Sequence, residues 1–375
     1  MDFDFTDDQI SLRDAVQRWV EKGFGFPRRH ALAKAGGATR AVYGELADLG
    51  LTGLAIPEAQ GGMGFGAVEA MVVCEELGRG LVNAPFAEAA LVAPVLMAGA
   101  PEVLKAAWLP RMASGEVLVV PALWEARSRY RLAHVHASAR QEGSIWALTG
   151  VKTLVPAGDE ADAFIVSARI SGKTDDESGI GLFLVERGAA SLRGFPTQDG
   201  ARAAELGLAL TPAQLISSNA FATLQTAADV AVAANCAEAV GLMDVLVAIT
   251  VDYMNTRKQF NVPIASFQAL RHRMADVKMQ LELGRSMSYY ASLKLGEPAE
   301  QRRRAVSQAR VQLGQSMRTV GQQCIQLHGG IGVTDEYIAS HYFKRLTMLE
   351  LSWGDSLHHL GEVSARMQDS AGVFA

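Results

Sequence analysis

The sequence predicts an α+β multidomain protein: a helical N-terminal domain over residues 1–115, a central β-sheet or barrel domain over 116–220, and a C-terminal helical bundle over 221–375. Three observations predict it. A helix-start signature followed by a helical apolar period opens the chain. Short apolar runs broken by Gly, Asp and Ser fill the middle. Long helical periods return after Ala220 and continue nearly to the end. At 375 residues the chain exceeds the usual size of one domain.

In the N-terminal region, Thr6-Asp7-Asp8-Gln9 reads as a capping box, in which the Thr6 and Gln9 side chains satisfy exposed amides of the first turn. Leu12, Val16 and Trp19 then share one face. Further helical material lies around 43–49 and 67–77, separated by a loop over 57–66 that starts at Pro57 and holds four glycines. The β texture comprises Val117-Leu118-Val119-Val120, Ile145-Trp146-Ala147-Leu148, Phe164-Ile165-Val166 and Leu182-Phe183-Leu184-Val185. In the bundle, Leu270, Met274, Val277 and Leu281 line one face of a helix, with Ser266 as its expected N-cap.

Composition narrows the function classes. With 49% apolar and 20% charged residues the chain is globular rather than disordered. Its net charge of −5 argues against a nucleic-acid partner, and the one compact basic run, Arg302-Arg303-Arg304, is read as a solvated helix face. Cys74, Cys236 and Cys324 are far apart and odd in number, so neither a disulfide framework nor a metal-ligand cluster is implied, and each is expected to be buried. The acidic start (Asp2, Asp4, Asp7, Asp8) lacks signal-peptide character and no apolar stretch is expected to span a bilayer, so the cytoplasm is the expected location.

Several segments, in order along the chain, resemble the acyl-CoA dehydrogenase family. Residues 46–66 (LADLGLTGLAIPEAQGGMGFG), 75–79 (EELGR) and 108–116 (WLPRMASGE) are similar to its N-terminal helical domain, and 146–162 (WALTGVKTLVPAGDEAD) to its β domain. Residues 257–268 (RKQFNVPIASFQ) and 326–337 (QLHGGIGVTDEY) resemble the two most specific signatures of its C-terminal four-helix bundle. The resemblance implies an oligomer whose subunits exchange contacts to FAD. It also implies α,β-dehydrogenation of an acyl-CoA thioester, with electron-transfer flavoprotein among the acceptors. In that reaction a carboxylate removes the α-proton while the β-hydrogen leaves as hydride.

The resemblance carries over unevenly. Arg257, Gln259 and Phe260, with Gln268, match residues that reach the ADP half of a FAD held mostly by the adjacent subunit. A guanidinium suits phosphate oxygens and Phe260 adds apolar contact. Gln326, Gly329 and Gly330 match the second signature, where glycine lets the backbone approach a phosphate. His328 is read as a packing or hydrogen-bonding residue.

At the flavin-ring end the matching positions are Trp124, Leu154 and Pro156, and Pro156 can donate no hydrogen bond. The two places where the family carries its base hold Trp353 and Ala231, and an indole cannot deprotonate a thioester α-carbon. Asp355 is expected about 200° from Trp353 around a helix and Glu350 on a nearer face, both as caps or surface charges. Asp229 matches a position that contacts coenzyme A, but Val232 replaces the arginine that normally follows it. His358 and His359 diverge by about 100° on a helix and make a poor metal pair.

These departures leave three readings. The chain is the small subunit of a heteromeric dehydrogenase, which Gly354-Asp355 and His358-His359-Leu360 support by resembling small subunits of the pimeloyl-CoA type. It is a homomeric enzyme with a non-standard base. Or it is a non-catalytic structural subunit.

Overall fold

The computed structural model describes residues 5–37, 39–143 and 145–367. The described chain forms two compact units, one of residues 1–29, 67–82 and 232–375, the other of 30–66 and 83–231. Its N-terminal helices are α1 (Asp7–Gly23), α2 (Phe26–Lys34), α3 (Arg40–Asp48), α4 (Ala67–Arg79), α5 (Ala93–Met97) and α6 (Glu102–Ala113). Seven strands follow: β1 (Val119–Ala122), β2 (Ser138–Glu142), β3 (Ile145–Pro156), β4 (Ala163–Arg169), β5 (Ile180–Glu186), β6 (Ser191–Pro196) and β7 (Arg202–Ser217). The C-terminal part holds α7 (Phe221–Thr256), a small hairpin of β8 (Lys258–Gln259) and β9 (Val262–Pro263), α8 (Gln268–Leu293), α9 (Ala299–His328), α10 (Ile338–Glu350) and α11 (Ser356–Ala365).

The capping box at Thr6 forms as its sequence predicts, with Gln9 N–H donating to Thr6 Oγ1 at 3.3 Å and Thr6 N–H donating to Gln9 Oε1 at 3.1 Å. Ser266 does not cap α8. Its hydroxyl donates to Pro263 O at 2.7 Å inside a short 3-10 turn, and Phe267 takes the cap position instead. A hydroxyl that finds a nearer carbonyl is lost to the helix start.

In the barrel unit, pairing runs β4-β2-β3-β7-β5 and returns to β4, so the sheet closes; β1 adds to β4 and β6 to β7. Closure removes sheet edges and creates an interior filled by Leu148, Val155, Phe164, Phe183, Val185 and Leu206. A distant carboxylate starts α3: Glu160 accepts from Thr39 N–H and Oγ1–H at 2.8 and 2.6 Å and from Arg40 N–H at 2.5 Å. An anion there faces the positive end of the helix.

In the bundle unit, the core runs through Val240, Met243, Val277, Leu281, Leu313, Met317, Val320 and Leu346. Helices α4 and α7 meet backbone to backbone. A Cβ on Gly78 would collide with Glu238 O, and one on Gly241 with Glu75 O. Beside that crossing, Arg285 joins Glu75 at 2.8 Å and Asp244 at 3.1 Å, and Arg79 joins Glu75 at 3.0 Å. By length and composition α7 passes for a membrane-spanning helix, against the expectation that no stretch would. Most of that apolar surface is buried within the fold, which is why the helix is apolar all round. All three cysteines are buried and none is in a disulfide, as expected.

Candidate functional site

The two signatures, residues 257–268 with Arg257 and its glutamines and residues 326–337 with Gln326 and its glycines, converge on one end of the bundle. After α7 the backbone is pinned by Arg257 N–H to Tyr253 O at 2.8 Å and Ile264 N–H to Arg257 O at 2.9 Å. Between them Phe260 (φ 51°) and Asn261 (φ 63°) form a two-residue turn with both residues left-handed. Asn suits that conformation; an aromatic does not, at a cost of roughly 1–2 kcal/mol. Phe260 is nonetheless 87% exposed, touching Phe267 edge-on at 6.1 Å between ring centres. Arg257, Gln259 and Gln268 are exposed around it.

The hairpin shares a small buried cluster, Met254, Ile264 and Leu327, with the end of α9. There the backbone turns through Gly329, whose φ of 64° and ψ of −143° only glycine tolerates. A Cβ on Gly332 would press on His328 Cβ and Ile325 O, both at 2.9 Å, so intramolecular packing requires that glycine. Gly330 differs from both: its φ is not left-handed and a Cβ there would meet nothing within 4 Å. Gln326, Gly329 and Gly330 are exposed. His328 is buried, with Nδ1–H donating to Cys324 O at 2.8 Å and Nε2 accepting from Tyr337 Oη at 3.1 Å. Burial lowers its pKa, so it is a neutral scaffold residue.

A second constellation lies between α10 and α11. Residues 351–355 are not helical, so the 200° separation expected between Trp353 and Asp355 does not apply. Trp353 has φ 57° and Gly354 φ 113°, and a Cβ on Gly354 would strike the His358 and His359 rings at 2.7 and 2.5 Å. Arg310, with 0% exposure, donates from α9 to the Leu349, Ser352 and Gly354 carbonyls, the latter two at 3.0 Å. Trp353 O accepts from His359 Nε2 at 3.2 Å. Asp355 caps α11 by accepting from His358 N–H at 2.8 Å, and Glu350 accepts from Ser356 N–H at 3.1 Å and Oγ–H at 2.7 Å. The indole packs against the bundle core.

In the barrel unit, a bulge in β3 between Lys152 and Val155 sets Leu154 at φ 52° with its side chain exposed. Thr153 N–H donates to Trp124 O at 2.8 Å, tying the preceding loop to the bulge. Lys152, fully buried, donates to Glu125 Oε1 at 2.7 Å, Ser167 Oγ at 3.2 Å and Leu123 O at 3.3 Å. Burial would raise the Glu125 carboxyl, but Lys152 and the Ala137 and His136 amides hold it below the usual range. Asp229 lies on α7 within this unit, 5% exposed, and Ala231 is buried nearby in sequence.

Residues 6–116 match the N-terminal domain of acyl-CoA dehydrogenases and 221–368 match their C-terminal domain. The chain belongs to the acyl-CoA dehydrogenase family. It is 24% identical over 345 residues to (2S)-methylsuccinyl-CoA dehydrogenase of Cereibacter sphaeroides, covering 86% of this chain but only 63% of that enzyme. Among solved structures it superposes on a chain of the ChsE4–ChsE5 complex from Mycobacterium tuberculosis with a TM-score of 0.88 at 25% identity, over 99% of this chain and 100% of the other. A chain from a variant of the Tcur3481–Tcur3483 steroid ACAD gives 0.86 at 26% identity, over 98% and 99%.

Within this acyl-CoA dehydrogenase fold, sequence reasoning had missed the buried cations, Arg310 and Lys152 the most deeply buried among the described residues. Arg310 sits in the row Val306, Arg310, Leu313, Met317, one helical stripe of α9 that is otherwise apolar, and that break was readable. Lys152 lies two and four residues from Gly150 and Leu148, in the inward row of β3. An ionisable residue in phase with a core row signals a buried partner.

Proposed function

We propose that this chain is the small subunit of a heteromeric acyl-CoA dehydrogenase, clamping the ADP half of a FAD whose reactive ring and catalytic base lie in a related partner. Gly330 carries the reading. No dihedral and no intramolecular neighbour demands glycine there, so the demand is assigned to a molecule that approaches the backbone, as phosphate does at glycine turns. The exposed, left-handed Phe260 is a second sign, since a strained aromatic left in solvent gains only one edge contact, with Phe267, from its own chain.

The residues present suit the ADP half. Arg257 presents a bidentate donor to diphosphate oxygens, Gln259, Gln268 and Gln326 present amides, and the 329–330 backbone leaves room for close approach. They do not suit the ring half. Leu154 offers no hydrogen-bonding side chain and Pro156 no amide hydrogen. When bound, the flavin supplies hydride acceptance from the acyl β-carbon. Removal of the α-proton is assigned to the partner, because Trp353 holds no proton-accepting group. Glu350 and Asp355, the carboxylates nearest it in sequence, both cap α11, which argues against a self-sufficient enzyme with a substitute base.

Two-component names among the similar structures, ChsE4–ChsE5 and Tcur3481–Tcur3483, favour a heteromer. The acyl-thioester class follows the family, and the methylsuccinyl relative suggests a branched or dicarboxylic acyl group. The test is flavin retention by the complex of this chain with a co-expressed acyl-CoA dehydrogenase-like chain. Arg257→Ala and Gly330→Val should each lower bound FAD severalfold while the complex still assembles; undiminished flavin in both variants contradicts the clamp.

A further inference from the structure

The hairpin and the glycine turn share more than the Met254, Ile264 and Leu327 cluster. His328, the last residue of α9, directly precedes Gly329 and Gly330, and its side chain is buried. Two half-buried tyrosines from other helices stand against its ring. Tyr253, in the last turn of α7, lies 4.7 Å away between ring centres with the planes 32° apart, and Tyr337, the N-cap of α10, lies at 5.0 Å and 54°. The backbone of each tyrosine is fastened in turn. Tyr253 O accepts from Arg257 N–H at 2.8 Å and from Thr256 Oγ1–H at 3.2 Å, so the peptide that carries this ring also sets where the hairpin starts. Tyr337 O accepts from Ser340 N–H at 3.3 Å and from Ser340 Oγ–H at 3.1 Å. Both imidazole nitrogens are committed. The Cys324 carbonyl can only accept, so Nδ1 carries the hydrogen and Nε2 is left to accept from Tyr337 Oη–H. A phenyl ring would fill the same volume. What the imidazole adds is direction, because turning it breaks one of the two hydrogen bonds.

We propose that His328 is a positioning residue, which through Tyr253 and Tyr337 holds the Arg257 hairpin and the Gly329–Gly330 turn at a fixed spacing before any cofactor arrives. This rests on the reading above that these two segments clamp the ADP half of FAD. None of the three rings is assigned a contact with the cofactor. Tyr253 acts on Arg257 through the peptide four residues before it, and His328 acts on the glycines through the bond it shares with Gly329. Segments held in place in advance need less ordering on binding, so the coupling contributes to affinity without touching the ligand.

The test uses the full chain, alone and with a co-expressed acyl-CoA dehydrogenase-like chain, as wild type, Tyr253→Leu, Tyr253→Phe and His328→Phe. Hydrogen exchange of the chain alone reads the coupling with no cofactor present. Tyr253→Leu should speed exchange at 329–334 severalfold although the substitution lies on α7, and Tyr253→Phe, which keeps the ring, should restore the wild-type rate. His328→Phe keeps a ring but loses both hydrogen bonds, and should speed exchange at 257–264 and at 329–334. In the complex, Tyr253→Leu and His328→Phe should each raise the Kd for FAD severalfold, Tyr253→Phe should not, and Tyr253→Leu should melt within about 2 °C of wild type. Tyr253→Leu carries the test should His328→Phe fail to fold. The positioning role is overturned if Tyr253→Leu leaves exchange at 329–334 unchanged, if Tyr253→Phe does not restore it, or if FAD affinity falls only where the melting temperature falls. Arg257→Ala in the same complex keeps the two readings apart. Full flavin in Arg257→Ala defeats the clamp; flavin lost there but kept in Tyr253→Leu and His328→Phe defeats the positioning role alone.

Discussion

Gly329, Gly330 and Gly332 sit within four residues and differ in what requires glycine: a dihedral at Gly329, packing on His328 and Ile325 at Gly332, and at Gly330 neither of these, which is why the proposed clamp is placed there. Alanine substitution separates them. Gly332→Ala should destabilise the chain by about 1–3 kcal/mol through overpacking on His328 and Ile325. Gly330→Ala should change unfolding free energy by less than about 0.5 kcal/mol, and chemical denaturation of the two variants checks the contrast.

His359 offers a pH test. Burial, then the Arg310 and His358 charges, push its pKa down from 6.5 to about 3, while the Trp353 carbonyl and Glu362 act in the opposite sense. The unfolded chain takes up that proton first, so the stability it confers is present above pH 6.5 and is lost progressively as pH falls toward 3. His358, also lowered by burial, adds to the same slope, with Arg303 working in the same direction and Asp355 and Glu362 against it. Urea melts between pH 7.5 and 5 should show stability falling with pH, with a shallower slope in His359→Gln.

At the scale of elements, helix starts show what a sequence reveals and what it hides. The Thr6 box involves four consecutive residues and was legible; the start of α3 depends on Glu160, 121 residues from Thr39, and was not. Glu160→Ala should cost about 1–2 kcal/mol, within the range for lost caps, whereas Ser266→Ala should cost less than about 0.5 kcal/mol because that hydroxyl caps nothing. Thermal melts of both test the assignment. The same limit appears between α10 and α11. Helical spacing applied to 353–355 failed because Gly354 and the carbonyls gathered by Arg310 break the helix there, and the residue that does so lies 39 positions before Leu349. The order of helices, strands and helices was readable because it follows local period. Closure of the barrel through β4 and β5 is a pairing choice that period does not contain.

For the whole molecule, the resemblance to the family puts Trp353, Ala231, Leu154 and Pro156 where a base and flavin-ring contacts are expected, while the residues proposed for the ADP clamp are exposed at one end of the bundle. Met279, Leu283, Tyr290 and Leu293 are exposed along α8, and Phe260 is exposed on the hairpin before it. Hydrogen exchange around 257–263 and 279–293 should therefore slow when the chain joins its partner. The most direct measurement is the visible absorption spectrum of the chain purified alone and again with a co-expressed acyl-CoA dehydrogenase-like partner. The account predicts a colourless chain and a yellow complex. A stoichiometric flavin in the chain alone, bleached by an acyl-CoA, would contradict it.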